Sequence, residues 1–215
     1  SSQVGASVPM VYNYDNLGNL ISKSDAGNYT YDQVKINAVN GVSGNPNTIP
    51  SFNQTITYTD FGKVATITEN DYTLTFYYGH DRLRRKTQLT QNSVLIKTKY
   101  FMGNYEKEIN ETTGEVKEYH YLNSPSGTFA VITKISGQPD DIRYIHSDHL
   151  GSIQSISDNN GTLIQEYSYD AWGRQRNSDY WSYNNVSDLP DFKRGYTGHE
   201  HLPEFGLINM NGRLY

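Results

Sequence analysis

The stretch that decides the fold is Tyr12-Asn13-Tyr14-Asp15-Asn16-Leu17-Gly18-Asn19-Leu20, and it returns as Tyr167-Ser168-Tyr169-Asp170-Ala171-Trp172-Gly173. Tyrosines that alternate with other residues favour a strand. The Asp-x-x-Gly step favours a tight turn, because the Asp side chain bonds nearby backbone groups and Gly accepts a positive φ. A second alternating run follows, as at residues 63–68, so each copy predicts one β-hairpin.

Partial copies of this motif lie between the two complete ones at intervals of roughly 20 residues, a period typical of repeat architectures. The turn residues that the repeats predict are Asp15, Gly18, Asp60, Gly62, Asp148, Gly151, Asp170 and Gly173. A hairpin of this length cannot bury its own apolar face, so neighbouring hairpins must stack. The predicted fold is therefore all-β: an extended antiparallel sheet of stacked hairpins.

Two stretches interrupt this rhythm. Residues 39–50 are rich in Gly, Asn, Ser and Pro, which predicts a long loop between repeats. Residues 180–190 predict a second loop, in which Tyr180, Trp181 and Tyr183 could pack back onto the sheet. No segment has the periodicity of an amphipathic helix.

Composition limits the function classes. The 215 residues include 19 Tyr but only 7 Phe and no Cys, and the formal net charge is -5. An acidic chain offers no basic face for a phosphate backbone, which argues against nucleic acid as a partner. The one basic run, residues 82–86, is strand-like, so Arg82, Arg84 and Lys86 are expected on one solvated face.

The missing cysteines exclude disulfides, thiolate metal sites and a cysteine nucleophile. No apolar run reaches 18 residues, so insertion into a membrane is not expected. Residues 1–10 lack the features of a signal peptide, and any export signal is expected outside this chain.

A metal site or an acid–base role is suggested by two histidine clusters, His146-Ser147-Asp148-His149 and His199-Glu200-His201. Neither has ligand-like spacing, and the His-Glu-x-x-His pattern is absent, so packing in turns is the expected role. The candidate carboxylates for glycoside hydrolysis are Asp140, Asp141, Glu106, Glu108 and Glu111, but no two of them stand out as a pair at a defined separation. No metal and no cofactor is predicted.

The run from Tyr144 to Ser152, followed by Asp158-x-x-Gly161 and residues 167–173, resembles the core signature of RHS-repeat (YD-repeat) proteins. Residues 194–200 and 204–215 are similar to the RHS repeat-associated core, in the form common among Bacteroidetes cell-surface or wall-associated proteins. The resemblance divides the chain into a degenerate YD-repeat strip, residues 1–143, and an RHS repeat-associated core, residues 144–215.

This resemblance implies a long β-strip that spirals into a hollow shell around a C-terminal, often toxic, effector. Relatives in this sense are polymorphic toxins, the C components of toxin complexes and teneurins. The implied setting is secreted or at the cell surface. The implied partners are the effector domain of the same polypeptide and, through open strand edges, further copies of the strip.

In toxin members of the family the core ends in an autoproteolytic aspartyl site. Arg213 matches the family's arginine, but the aspartates that perform the chemistry are expected beyond Tyr215. One arginine cannot replace paired carboxylates, so the expectation for this chain is a non-enzymatic segment with no catalytic residue of its own.

A second interpretation is an adhesive or carbohydrate-binding β module. Exposed aromatic rings stack on sugar rings, and the residues that could do so are Trp172, Tyr180, Trp181 and Tyr183. In this reading the partner is carbohydrate or another cell surface.

Overall fold

The computed structural model describes residues 10–34, 36–37, 39–43, 54–211 and 214. They belong to two compact units, residues 1–53 and residues 54–215. The described residues contain 19 strands and two short 3-10 turns, and no α-helix. The prediction of an all-β fold built from antiparallel sheets is confirmed.

The first unit contains a four-stranded antiparallel sheet whose strands pair in chain order. Its strands are β1 (Tyr12–Tyr14), β2 (Leu20–Lys23), β3 (Gly27–Tyr31) and β4 (Val39–Ser43). The prediction of a loop over residues 39–50 is wrong for β4, while residues 44–50 lie outside the described part. Backbone pairing with β3 compensates for weak strand formers. Gly41 fits because a Cβ there would lie only 2.9 Å from Thr30 Oγ1.

The second unit is organised by an eleven-stranded antiparallel sheet in which every strand pairs with the next one along the chain. Its strands are β5 (Thr55–Tyr58), β6 (Val64–Glu69), β7 (Tyr72–Tyr78), β8 (Arg84–Gln91), β9 (Val94–Met102), β10 (Tyr105–Asn110), β11 (Val116–Ser124), β12 (Gly127–Ile135), β13 (Asp141–Ser147), β14 (Ile153–Ser157) and β15 (Leu163–Glu166). The motif boundary at residue 143 falls inside β13, so the sheet is continuous across it.

The rest of the second unit is smaller in scale. Two short hairpins pair β16 (Ser168–Tyr169) with β17 (Gln175–Arg176), and β18 (Glu200–Leu202) with β19 (Leu207–Asn209). The 3-10 turns are Tyr196–Gly198 and Pro203–Phe205. Residues 188–211, which we call the cross-segment, contain β18, β19 and both 3-10 turns.

Strand alternation gives the large sheet one buried face. Ile67, Leu74 and Leu89 stand in register on β6, β7 and β8, and none is more than 6% exposed. Thr66 and Thr75, on the opposite face of the same strands, are half-buried. We call the first surface the covered face, because the cross-segment packs against it.

The covered face carries two hydrophobic clusters. In one, Phe192 of the cross-segment packs among buried side chains of β11 to β16: Tyr119, Tyr121, Val131, Ile145, Ile153, Ile156 and Tyr169. In the other, Leu202 and Phe205 pack against β6 to β8, on Ile67, Leu74, Phe76 and Leu89. The cross-segment therefore contacts most of the width of the sheet.

The prediction for the basic run is wrong. The pairing of β7 with β8 shifts register between Tyr77 and Tyr78, and the resulting bulge places Arg84 and Lys86 on opposite faces. Lys86 lies over the Tyr77 ring, 3.9 Å from its centroid. The Arg84 side chain is only 11% exposed and lies on the covered face.

Candidate functional site

Between the two hydrophobic clusters, the cross-segment meets the sheet through charge. Arg84 of β8, Lys99 of β9 and Glu106 of β10 come from the sheet, and Arg194 and Glu200 come from the cross-segment. We call these five residues the ion network. The side chains of Lys99, Glu106 and Glu200 are 6%, 1% and 7% exposed, so three formal charges lie almost out of reach of water.

The charges alternate in sign along the network. Arg84 Nη1 lies 2.6 Å from Glu200 Oε2, and Lys99 Nζ lies 2.9 Å from Glu200 Oε1. Lys99 Nζ also lies 2.9 Å from Glu106 Oε2, and Arg194 Nη2 pairs with Glu106 Oε1. Each carboxylate oxygen therefore lies within ion-pair distance of a cation, and Lys99 is shared by Glu106 and Glu200. Such pairing offsets part of the hydration that buried charges lose.

Aromatic rings complete the surroundings of the cations. The Arg84 guanidinium lies 3.8 Å from the centroid of the Phe101 ring, and that of Arg194 lies 4.8 Å from the Tyr121 ring. The Tyr121 hydroxyl donates a hydrogen bond of 2.9 Å to Glu106 Oε2. The rings add cation–π attraction where water is excluded.

The network keeps both buried carboxylates ionised. Burial alone raises the pKa of Glu200, but Lys99 and then Arg84 outweigh it and lower that pKa to about 2. For Glu106, burial also raises the pKa, and Lys99 and Arg194 together bring it below its ordinary value. Burial lowers the pKa of Lys99, yet Glu200 and Glu106 leave it raised. Neither carboxylate is held protonated, so this pair lacks the general acid that glycoside hydrolysis requires.

A second buried contact lies beside the network. Burial lowers the pKa of His201 to about 4, and the imidazole Nε2 accepts a 3.0 Å hydrogen bond from the Tyr196 backbone N–H. A Cβ at Gly195 would collide with Tyr169 Oη and would lie 2.8 Å from His201 Nε2. Only glycine therefore lets the cross-segment approach Tyr169 of the β16–β17 hairpin this closely.

The repeat turns share one geometry at Asp15, Asp148 and Asp170. In each, Oδ1 accepts the backbone N–H groups two and four residues later, at 2.8–3.0 Å. The glycine three residues after each aspartate has a φ between +84° and +85°: Gly18, Gly151 and Gly173. Near Asp60 the capping group is instead the Thr59 hydroxyl, which accepts from the Lys63 N–H at 3.1 Å, and Gly62 has a φ of +78°.

The four rings predicted to stack on sugars differ in how much of each side chain is exposed to solvent. Trp172, Tyr180 and Trp181 are 42%, 83% and 52% exposed. Tyr183 is half-buried, with its ring 3.8 Å from the Arg174 guanidinium carbon, and its hydroxyl donates to Asp170 Oδ2 at 3.0 Å.

The two histidine clusters of the sequence separate in the structure. His146 Nε2 lies 2.9 Å from Ser157 Oγ, His199 Nδ1 lies 2.8 Å from Thr197 Oγ1, and Glu200 belongs to the ion network. Within the part of the chain that the structure describes, no group of three His, Cys, Asp or Glu residues could hold a metal ion. None of the described helices is long and apolar enough to cross a membrane. Arg213 lies outside the described residues.

Sequence reasoning missed the ion network. A signal was present: Lys99 and Glu106 occupy strand positions that share a face with Leu89 and Phe101, where a core strand normally carries apolar residues. Arg194 and Glu200 gave no such signal, because they lie in irregular or very short elements.

Comparison with known proteins supports the fold and nothing finer. No protein-family model matches the chain, and no curated protein matches it in sequence. The solved structures that match in fold include three crystal structures, each over 96% of this chain. TcdB2–TccC3–TEV has a TM-score of 0.68 and 19% sequence identity. TcdB2–TccC3–Cdc42 has a TM-score of 0.66 and 20% identity, and TcdB2–TccC3 has a TM-score of 0.66 and 18% identity. These are toxin-complex chains, and this chain spans only 11–12% of their length. The chain therefore has an RHS-like fold.

Proposed function

We propose that this chain is a non-enzymatic wall segment of a secreted or surface-exposed RHS-repeat protein that encloses or presents a C-terminal effector. The observation that carries this proposal is the likeness in fold of 96% of the chain to toxin-complex chains of which it spans 11–12%. On this proposal, the chain is one short segment of a much longer polypeptide and forms part of the wall of its assembly.

The geometry of the second unit supports such a role. A sheet with sequential strand order grows one hairpin at a time. Among the described residues, β5 and β15 are its first and last strands, and each pairs on one side only. Open edges suit a strip that continues into further repeats or pairs with another copy. The cross-segment joins distant strands through two hydrophobic clusters and the ion network, and such contacts would stiffen a wall segment.

The test is protease protection in a polypeptide that contains both this segment and the proposed effector. We expect a domain encoded downstream of Tyr215 to resist a broad-specificity protease in the native protein and to be digested once the wall is unfolded in urea. The matched reference is the same downstream domain expressed by itself. Equal digestion rates for the enclosed and the separate domain would contradict the proposal.

A carbohydrate-binding β module is the second candidate, and the exposure of Trp172, Tyr180 and Trp181 favours it. Exposed aromatic rings cost free energy in water unless a partner covers them. A glycan screen with the whole chain tests this candidate. Specific binding that Trp181→Ala abolishes would support it, whereas a screen without any specific glycan would contradict it.

A further inference from the structure

A polar cleft of about 290 Å³ lies beside the first hydrophobic cluster. The turn at Asp148, strand β14 and the β16–β17 hairpin form its walls, and Tyr196 of the cross-segment contributes to its lining. Its polar lining residues include Asp148, Ser152, Gln154, Ser168, Asp170 and Arg176. The cleft is about the size at which small-molecule sites begin.

Several of these groups have hydrogen-bonding capacity that the fold leaves unused. Asp148 uses Oδ1 to cap its turn. Within the described part of the chain, its Oδ2 has one contact, of 3.5 Å, with the Gln154 amide. Arg176 donates through Nε to Ser168 Oγ at 2.9 Å. Among the described residues, no carboxylate lies within ion-pair distance of Arg176, so donors on its terminal nitrogens are free for a ligand.

One tryptophan lies next to a lining residue of this cleft. The Trp181 ring lies 4.8 Å from the guanidinium carbon of Arg176, which lines the cleft. Trp181 also has a φ of 56°, a left-handed conformation that is costly for so large a side chain. Strained, exposed residues concentrate at binding sites, where the strain fixes the direction of a ring.

The charges of the lining select the class of ligand. Two carboxylates disfavour a phosphate or another anion, and the guanidinium of Arg176 in the same lining disfavours a polyamine. Carboxylate, guanidinium and amide groups together match the donor and acceptor pattern of neighbouring hydroxyls. Aromatic rings beside such groups cover the C–H face of a sugar ring.

We propose that this cleft binds a neutral pyranose, as a free monosaccharide or as one unit of a glycan. The proposal rests on the second candidate function, which it deepens by assigning Arg176, Asp148 and Gln154 to the hydroxyls and Trp181 to the ring. For a ligand of that size, a Kd on the order of 1 mM is expected for the single sugar.

The experiment is an NMR titration that follows the two indole N–H signals of the whole chain. The ligands are neutral hexoses and N-acetylhexosamines, with inorganic phosphate and spermidine as charged comparisons. We expect saturable shifts with at least one neutral sugar, weakened at least 10-fold by Arg176→Gln and by Gln154→Ala. Arg143→Gln is the matched control, because Arg143 lies on β13 and pairs with Asp141 at 2.7 Å; it should leave the affinity unchanged.

Shifts with phosphate or spermidine and with no sugar would overturn the assignment. A glycan that binds equally well to wild type, Arg176→Gln and Gln154→Ala would leave the second candidate standing and place its site elsewhere. Absence of any sugar or glycan binding would reject both this site and that candidate. Protease protection of the effector does not involve the cleft, so the wall proposal is judged separately.

Discussion

Beneath its two ends the cross-segment meets apolar side chains, whereas beneath its middle it meets charges. Phe192, Leu202 and Phe205 are 2–7% exposed among hydrophobic neighbours, and each contributes by leaving water. Arg194 and Glu200 instead contribute only as long as Glu106, Lys99 and Arg84 remain opposite them. The apolar contacts are tolerant and additive, while the charged ones depend on every partner.

The apolar contacts determine how strongly the cross-segment is held on the sheet, whereas the charged contacts determine its register there. Many apolar side chains of similar volume could fill the two hydrophobic clusters. A shift of the cross-segment by one residue would, however, leave buried charges of the network unpaired, which is costly. The network therefore specifies where the segment lies, and the hydrophobic clusters supply most of the stabilisation that holds it there.

Removal of one carboxylate from the network should have the largest effect. Glu106→Leu leaves Lys99 and Arg194 without a shared counter-charge, so we expect a loss of roughly 3–5 kcal/mol in the free energy of unfolding. Urea denaturation followed by tryptophan fluorescence measures it, since both tryptophans lie in the second unit. Asp140→Leu is the matched control: its pair with Lys134 is 45–50% exposed, and a loss below about 1 kcal/mol is expected.

Leu202→Ala tests the apolar side of the comparison. It removes a side chain that is 7% exposed in the second hydrophobic cluster, and a loss of about 2–5 kcal/mol is expected from transfer and cavity terms. Leu202→Met, which nearly conserves volume, should recover most of the loss. If Leu202→Ala and Leu202→Met lower the free energy of unfolding equally, the second hydrophobic cluster does not tolerate side chains of similar volume.

Acid should lower the stability of the contact between the middle of the cross-segment and the sheet in two successive ranges of pH. The pKa of His201 is about 4 when folded against about 6.5 when unfolded, so the unfolded chain binds more protons between these values and stability falls as pH drops from about 6.5 to 4. His199, whose pKa burial also lowers, acts in the same direction. Glu200, with a folded pKa of about 2, loses its contribution as pH falls further, from about 4.5 towards 2.

Urea denaturation at a series of pH values checks this expectation, with His201→Gln as the discriminating variant. The amide oxygen of Gln can accept the Tyr196 N–H but does not titrate. The variant should therefore lose most of the pH dependence between 4 and 6.5 and keep the decline below 4.5. An unchanged profile between 4 and 6.5 would show that His201 is not the titrating group.

A turn variant should have the smallest effect. Asp170→Ala removes two hydrogen bonds to backbone N–H groups and one from Tyr183, outside the contact between cross-segment and sheet. A loss of roughly 1–2 kcal/mol is expected, as for the loss of a helix cap. Asp170→Asn keeps an oxygen acceptor and should cost less. A loss as large as that of Glu106→Leu would remove the distinction between turns and network.

Much of the fold was predictable because each repeat consists of patterns that span only a few residues. Alternation predicts the strands, and Asp-x-x-Gly steps predict where they reverse, since both depend on residues within a few positions of each other. Two errors have a local physical cause. A bulge at Arg85 moved Arg84 to the covered face, and β4 formed through pairing with β3 where the sequence predicts a loop.

The sequence by itself determined the all-β class, the hairpin period and the tight turns, because strand alternation and turn chemistry are local. Only the tertiary structure decided that the cross-segment crosses the covered face, that Glu106 and Glu200 share Lys99, and that a polar cleft forms between the Asp148 turn and the β16–β17 hairpin. Lys99 and Glu200 are 101 residues apart in the chain. No short-range pattern can specify such a contact, which forms only when burial of the apolar clusters brings the two elements together.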